Sequence, residues 1–441
     1  MRIGIIGLGY VGLTLAIAAA DHGSDVYGIE IDPRIKKCLG ENRAHFFEPG
    51  LDALIRRHNG KSFHCVDTFT KDMQIDVFVI TVGTPLIAGK ETPNFDHIRS
   101  AIESIKSSYD GTQLVILRST VSVGTTRSIV MPLLMEMSGR SESDIYVAMC
   151  PERTVEGKAV EELTHLPQIV SGNNEAAIET AQKFFRSMTP YVIPVSSLEE
   201  AELVKLYCNT YRDMSFAIGN AFCIAAQEFG VDGISVIKHA NQGYSRANIA
   251  LPGFVAGPCL EKDAYILTNN MPECGARDFI MGGRKLNESL EDMVVEWVKA
   301  HLGDPSDGKT VALSGMAFKG QPETSDLRGS SSVNIAKKLK TLGYKMNLHD
   351  FSALPSEMEA LELGTVYSDI YSACADAFAL VILNNHKKYA DIKEDLILSG
   401  SRDDFSILDC WDMCRELRHN TGINVYSLGD FMINRSEGQT Q

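Results

Sequence analysis

The sequence predicts an α/β protein with two doubly wound parallel sheets joined by a long central helix. Three observations lead there. Short β-rich runs alternate with helix-length segments through residues 1–195. An apolar helical periodicity of more than thirty residues follows, and after residue 304 the alternation returns. Strands separated by helix-length segments pair in parallel through crossover helices, because a tight turn cannot return the chain in the same direction.

The first region carries its strand-like runs at Ile3–Ile6, Val26–Ile31, Val77–Val82, Leu114–Leu117, Ile145–Ala148 and Tyr191–Val195. In the second, residues 196–303, Ser197 caps a helix with Glu200 three residues on. Its apolar periodicity runs to Phe229 before Gly230 offers a stop. A surface helix is seldom so long, so this one reads as a spine shared between domains or between subunits. Gly303-Asp304-Pro305-Ser306-Asp307-Gly308 is a linker into the third region, residues 304–441. There Val311–Leu313, Lys345–His349, Ala379–Leu383, Ile407–Leu408 and Val425–Ser427 read as strands and Ser332–Leu342 as a helix. The tail after Asn434 is polar and is expected to fray.

Composition excludes several classes. The 441 residues are 44% hydrophobic and 22% charged, the balance of a globular protein rather than a disordered or fibrous one. With 42 basic and 57 acidic side chains the formal charge is −15, which argues against a nucleic-acid or anionic-membrane partner. No apolar stretch is long enough to span a bilayer. Met1-Arg2 runs straight into a strand without a leader, so the expected compartment is the cytoplasm. The ten cysteines are scattered and form no C-x-x-C pair, so reduced thiols are expected and no metal site.

Gly7-Leu8-Gly9-Tyr10-Val11-Gly12 follows the first strand and opens an apolar helix. Gly7 permits a tight turn, Gly9 a close approach of backbone to a diphosphate, and Gly12 close helix–strand packing. Tyr10 and Val11 stand between them at the helix start. Glu30 ends the second strand, placed to accept from an adenosine ribose and to repel a 2′-phosphate. The cofactor expected is therefore NAD. Asp32 is an alternative to Glu30, and Arg34 leaves room for NADP. Gly83-Thr84-Pro85 and Ser119-Thr120-Val121 each follow a strand, where an open parallel sheet meets its ligands.

Lys205, Asn209 and Arg212 fall within about 60° of one another around the long helix. Cys259 lies in an irregular segment, Pro252-Gly253-Phe254-Val255-Ala256-Gly257-Pro258-Cys259, followed by Leu260-Glu261-Lys262-Asp263. A cation such as Lys262 beside a thiol favours the nucleophilic thiolate.

In this order along the chain, these segments resemble the nucleotide-sugar 6-dehydrogenases, the UDP-glucose/GDP-mannose dehydrogenase family. The resemblance rests on Gly7–Gly12, Glu48-Pro49-Gly50-Leu51, Gly83-Thr84-Pro85, Ser119-Thr120-Val121, Pro151-Glu152, Glu202–Asn209, Cys259–Asp263, Ala317-Phe318-Lys319-Gly320 and Asp326-x-Arg328. It implies an NAD-binding Rossmann-like domain (1–195), a central helical domain that builds a homodimer (196–303), and a C-terminal domain that holds the UDP-sugar (304–441). It further implies oxidation of the sugar C6 alcohol to a carboxylate in two hydride transfers. Cys259 would form a thiohemiacetal and then a thioester. Lys205 and Asn209 would stabilise the oxyanion, and Asp263 and Thr120 would position a water. Glu152 would act as acid/base in hydrolysis, and Glu156 would lie near the nicotinamide. Lys262, Lys319 and Arg328 would contact the substrate.

Two departures stand out. Ala256-Gly257-Pro258 replaces the glycines usual before the cysteine, and the loop looks one residue short. The long-helix motif ends Gly219-Asn220-Ala221, where many relatives carry an acid after the asparagine. For the sugar, Cys150-Pro151-Glu152-Arg153, Tyr211-Arg212-Asp213 and Arg246-x-Asn248-Ile249 look like UDP-N-acetylmannosamine and UDP-N-acetylglucosamine dehydrogenases. Arg212 or Arg246 could donate to an acetamido carbonyl or a pyrophosphate. UDP-glucose, GDP-mannose and a catalytically inactive sugar-nucleotide binder remain the alternatives.

Overall fold

Arg2–Ile6 forms β1, buried over its last four residues, and β2 (Asp25–Ile29) lies parallel to it with Ile3 opposite Val26. Between them runs α1 (Tyr10–Asp21), buried from Gly12 to Ala20. β3 (Phe63–Val66), β4 (Val77–Ile80), β5 (Leu114–Leu117) and β6 (Tyr146–Met149) complete a parallel sheet of order β3-β2-β1-β4-β5-β6. The central strands β4 and β5 are apolar and buried along their length because helices cover both faces. One face packs on Leu13, Ile17 and Phe184, the other on Ile98, Val130 and Leu134. The strand order reverses between β1 and β4, which opens a crevice beyond their carboxyl ends.

The computed structural model describes residues 1–398, 400–401, 405–419 and 422–431. The polar tail after Asn434 lies outside them. The chain divides into two compact units, Met1–Asn209 with Lys262–Pro272, and Thr210–Glu261 with Glu273–Gln441. The run expected at Tyr191–Val195 does not join the large sheet of the first unit. β8 (Val192–Pro194) instead pairs with β7 (Gln168–Val170) as a two-stranded ribbon.

The long helix, α2, spans Leu198–Glu228 and passes from one unit to the other after Asn209. Ser197 Oγ accepts from the Glu200 amide at 3.0 Å, as expected. The Glu200 carboxylate, however, takes the Ser196 amide at 2.8 Å, one residue before the cap. Gly230, at φ +70°, ends the run.

In the second unit, α3 (Gly233–Asn241) is followed by residues 242–259, which contain neither helix nor strand. α4 (Leu260–Thr268) begins in this unit and ends in the first, and α5 (Gly275–Leu302) follows. β9 (Thr310–Ser314), β10 (Lys345–His349), β11 (Thr365–Val366), β12 (Ala379–Ile382), β13 (Ser406–Asp409) and β14 (Asn424–Ser427) form a parallel sheet of order β11-β10-β9-β12-β13-β14. Its order repeats that of the first sheet. Gly315 even mirrors Gly7: each follows the first strand at positive φ and donates to the last carbonyl of the neighbouring strand, His349 or Ile29, at 2.9 Å. Among the described residues no helix is long and apolar enough to cross a membrane.

Candidate active site

β1 delivers the chain into a turn at Gly7, φ +88°, and α1 starts immediately beyond it. A Cβ on Gly12 would lie 1.9 Å from the Gly7 carbonyl, so the helix can seat on the turn only with glycine there. A Cβ on Gly9 would meet nothing within 4 Å. That open side faces the amino end of α1, which has no side-chain cap. Such an end offers backbone N–H groups and a partial positive charge to a diphosphate. Glu30 is buried, with Oε2 accepting from the Leu8 amide at 2.8 Å and Oε1 from Ile31 and Asp32 at 2.7 and 2.9 Å. The acid at the end of β2 thus ties itself to the glycine turn. Arg34 folds its guanidinium onto Asp32, with Nη2 2.7 Å from Oδ2. These residues fit NAD: an open glycine turn, uncapped helix amides and a buried carboxylate at the end of β2.

Glu48 explains part of the Glu-Pro-Gly-Leu motif. Its Oε2 accepts from the Tyr10 hydroxyl at 2.6 Å and from the Gly157 amide at 2.8 Å, joining α1 to the turn that carries Glu156. Val11 is half-buried. Beyond β4 and β5, Thr84 Oγ1 donates to the Thr120 carbonyl at 2.6 Å, so the two loops are linked through a buried hydroxyl. Pro85 stays exposed and Thr120 half-buried.

The first unit also gathers Glu152, Lys205, Asn209, Lys262 and Asp263. Asn209 Nδ2 donates to Asp263 Oδ2 at 2.6 Å, and Lys262 Nζ lies 3.1 Å from Oδ1. Asp263 is 1% exposed. The later part of α4 is anchored here, since the Ile266 carbonyl accepts from Ser122 Oγ at 3.0 Å. Glu152 accepts on Oε1 from the amides of Arg153 and Thr154, at 2.6 and 2.7 Å. Its Oε2 takes both Nε and Nη2 of Arg118. Burial opposes the charge, but Arg118, the Thr154 amide and Lys205 outweigh it and hold the carboxyl below its ordinary range. Lys205 itself is only 8% exposed and makes no hydrogen bond or ion pair among the described residues. Arg212, expected on the same face as Lys205 and Asn209, is exposed.

In the second unit Cys259 is exposed and stands one residue before α4. A thiol at a helix amino end is favoured as thiolate. Gly257, at φ +96°, donates to the Gly329 carbonyl at 2.7 Å, and a Cβ there would sit 2.6 Å from the Phe318 ring. The one glycine kept before the cysteine is therefore the one this backbone requires. Ala256 and Pro258 are half-buried. Ala221, the second departure, is half-buried, and Asn220 just before it has its Oδ1 accepting from the Gly253 amide at 2.9 Å. Lys319 lies over the Phe318 ring at 5.3 Å, and Arg328 grips Asp326 with Nη2 2.6 Å from Oδ2. Arg246 and Asn248 are exposed, the former over the Tyr244 ring at 4.9 Å.

Three residues to which the sequence alone assigns no role shape these sites. Arg118 is a fully buried guanidinium at the carboxyl end of β5. An arginine directly after a buried apolar strand was the available signal, because such a side chain is buried only with partners. Glu202 receives the Gly124 and Thr126 amides at 2.6 and 2.8 Å, closing the turn after Thr120. Arg284 in α5 pairs with Asp213 at 2.9 Å.

Comparison with known proteins places the chain. The NAD binding domain of the UDP-glucose/GDP-mannose dehydrogenase family matches residues 1–189, its central domain 199–289 and its UDP binding domain 312–416. A UDP-N-acetyl-D-mannosamine dehydrogenase of Methanocaldococcus jannaschii is 32% identical over 435 residues, covering 97% of this chain and 96% of the relative. An enzyme of the same name from Pyrococcus horikoshii is 31% identical over 91% of this chain and 93% of its own. Among solved structures, a UDP-D-ManNAc dehydrogenase from Pyrococcus horikoshii superposes with TM-score 0.86 at 29% identity, over 98% of this chain and 100% of that one. The UDP-N-acetyl-mannosamine dehydrogenase of Staphylococcus aureus gives 0.81 at 26% identity, over 97% and 98%. With its glycine turn, its acid after β2 and matches to all three family domains, the chain belongs to the UDP-glucose/GDP-mannose dehydrogenase family and is an NAD-dependent dehydrogenase.

Proposed function

We propose that this enzyme oxidises the C6 hydroxymethyl group of a UDP-N-acetylhexosamine, UDP-N-acetylmannosamine or UDP-N-acetylglucosamine, to the uronic acid through Cys259. The observation that carries the reading is Lys205, a buried ammonium that makes no hydrogen bond or ion pair among the described residues and lies within electrostatic reach of the clamped Glu152. A buried charge is costly unless something pairs with it, and a developing oxyanion is such a partner. The names of two similar relatives, both UDP-N-acetyl-D-mannosamine dehydrogenases, favour the mannosamine sugar.

The Gly9 turn and Glu30 would hold NAD, which would supply the hydride acceptor for each of the two oxidations. In the first, the C6–H bond breaks with its electron pair, and the hydroxyl proton passes to a water held by Asp263 and Thr120. The Cys259 thiolate then adds to the C6 aldehyde, and Lys205 and Asn209 donate to the oxygen that receives the pair. Loss of a second hydride from C6 leaves a thioester. Water adds to it, the thiolate departs, and both protons of that water go to solvent, leaving the carboxylate. Glu152, held ionised, accepts a hydrogen bond from that water rather than donating a proton. Lys262, Lys319 and Arg328 are proposed to contact the substrate, Glu156 the cofactor, and Arg212, Arg246 and Asn248 the acetamido sugar or pyrophosphate.

The same reading divides the chain at residues 195 and 303 and makes it a cytoplasmic homodimer. Tyr211, Ile218 and Phe222 of α2 are 75%, 44% and 50% exposed and fall within about 40° on one helix face, apolar surface suited to a second copy.

The test is a nucleotide-sugar panel with NAD or NADP, followed by absorbance of the reduced cofactor and by product mass. The carboxylate, with two NADH per sugar, is expected from a UDP-N-acetylhexosamine, and Cys259→Ser should lose it while keeping the fold. Undiminished carboxylate from that variant sinks the chemistry. Ligand-induced stabilisation with no NADH from any sugar would leave a binding protein instead.

A further inference from the structure

Residues 252–255 are buried, although the whole stretch from 242 to 259 is irregular. A buried segment without helix or strand must find other partners for its backbone groups. Here three side chains, borne on three different helices of the same unit, supply them. Asn220 on α2 pairs both ends of its amide with Gly253: Oδ1 accepts from the amide at 2.9 Å, and Nδ2 donates to the carbonyl at 3.1 Å. Asn241 at the end of α3 does the same with Ile249, at 2.9 and 2.8 Å. Each asparagine thus imitates a strand neighbour. Arg284 on α5 donates to the Val255 carbonyl at 3.3 Å and to the Leu260 carbonyl at 3.1 Å, the two positions that bracket Cys259.

Two of the anchors, Asn220 and Arg284, are joined through Asn287 and Asp213. Asp213 Oδ1 receives Arg284 Nη1 at 2.9 Å and Asn287 Nδ2 at 2.7 Å, and Asn287 Oδ1 receives Asn220 Nδ2 at 2.8 Å. Asp213 and Arg284 are 1% and 2% exposed. A buried ion pair of this kind is a weak stabiliser compared with apolar residues of equal volume, so its use here calls for a conformational reason. Gly219 adds a steric one, since a Cβ there would lie 2.2 Å from the Ala250 carbonyl.

We infer that Asn220, Asn241 and Arg284, the last oriented by Asp213, are positioning residues that set the backbone of residues 249–260 and hence the place of the Cys259 thiol. The inference rests on the proposed role of Cys259. None of the four touches the reacting atoms; they act through the loop. A misplacement of about 1 Å can cost a reaction on the order of 100-fold.

The test uses the full chain with Asn241→Ala and Arg284→Lys. The first removes a half-buried anchor, and the second keeps the charge but loses the fork that reaches two carbonyls. In each, kcat for carboxylate is expected to fall about 10- to 100-fold while KM for sugar and NAD stays within about threefold. Semicarbazide should trap more C6 aldehyde than with the unaltered enzyme. An activity-independent readout is alkylation by iodoacetamide, followed peptide by peptide against exposed Cys274. The Cys259 rate should fall several-fold as the thiol leaves the amino end of α4. A lower melting temperature with unchanged kcat and an unchanged alkylation ratio would overturn the inference. If Arg284→Lys does not fold, Asn241→Ala decides. If the unaltered chain makes no NADH from any nucleotide sugar, the functional reading fails, and the alkylation ratio still judges the loop.

Discussion

Inside the first unit, Arg118 grips Glu152: Nε lies 2.9 Å from Oε2 and Nη2 donates to the same oxygen. Arg118 also reaches the Cys150 carbonyl at 3.2 Å and Gln168 Oε1 at 3.1 Å, and its guanidinium stands 5.1 Å from the Phe185 ring. The carboxylate therefore cannot turn to follow a proton. It is a fixed negative charge close enough to Lys205 for that ammonium to favour the ionised carboxylate.

Removing the clamp should be costly. Arg118→Met strands a buried carboxylate, and a loss of about 3–5 kcal/mol is expected from urea unfolding. The sign of the pH dependence follows from the lowered carboxyl. Glu152 contributes stability above its ordinary value of 4.5, and that contribution is lost as pH falls through its folded value. The stability difference between the unaltered chain and Glu152→Gln should be flat at neutral pH and shrink only below 4.5. A difference already shrinking between pH 7 and 5 would contradict the clamp.

Lys205 should behave in the opposite way. Lys205→Met removes a buried ammonium that has no hydrogen bond among the described residues, so the melting temperature should hold or rise. Turnover should nevertheless fall about 10²- to 10³-fold, the usual cost of losing one oxyanion donor. Differential scanning calorimetry and steady-state kinetics on one preparation check both. A variant that is strongly destabilised yet active per folded molecule would assign Lys205 to structure.

Gly257 permits a substitution of one methyl group with a defined obstacle. Its φ of +96° disfavours any Cβ, and the Phe318 ring would be 2.6 Å away. Gly257→Ala should cost about 1–3 kcal/mol and most of the activity. Phe318→Leu in the same chain should restore part of the stability. Failure of that second change to help would show that the backbone angle, not the ring, sets the cost.

His349, at the end of β10, lies with Nδ1 2.7 Å from Ser314 Oγ. Burial pushes its pKa from 6.5 down to about 4. The unfolded chain therefore takes up a proton that the folded one refuses, and stability is lost as pH falls from 6.5 towards 4. The loss is about 3 kcal/mol at full extent. His349→Gln should remove that part of the acid sensitivity, as measured by urea midpoints across this range.

Much of the fold was legible because apolar periodicity reports burial on both faces of a sheet. β1, β2, β4, β5 and β6 fall on their expected runs within one or two residues, and α2 begins and ends where Ser197 and Gly230 suggest. β3 was missed because Phe63-His64-Cys65-Val66 sits at a sheet edge and alternates with polar residues. β7 has three residues, too few for a period to show.

The sequence alone determined the order of elements and the chemical types at hand: a glycine turn, an acid after β2, a lysine and asparagine one helical turn apart, and a cysteine in an irregular segment. Those depend on local backbone preference and on spacing, which a linear chain carries in full. Tertiary structure alone decided which charges meet. Arg118 and Glu152 are 34 positions apart, Asn209 and Asp263 54, and Asp213 and Arg284 71. No period links such pairs. They come together because the sheets and helices that carry them bury their apolar faces, and each buried charge then has to settle against the partner left within reach.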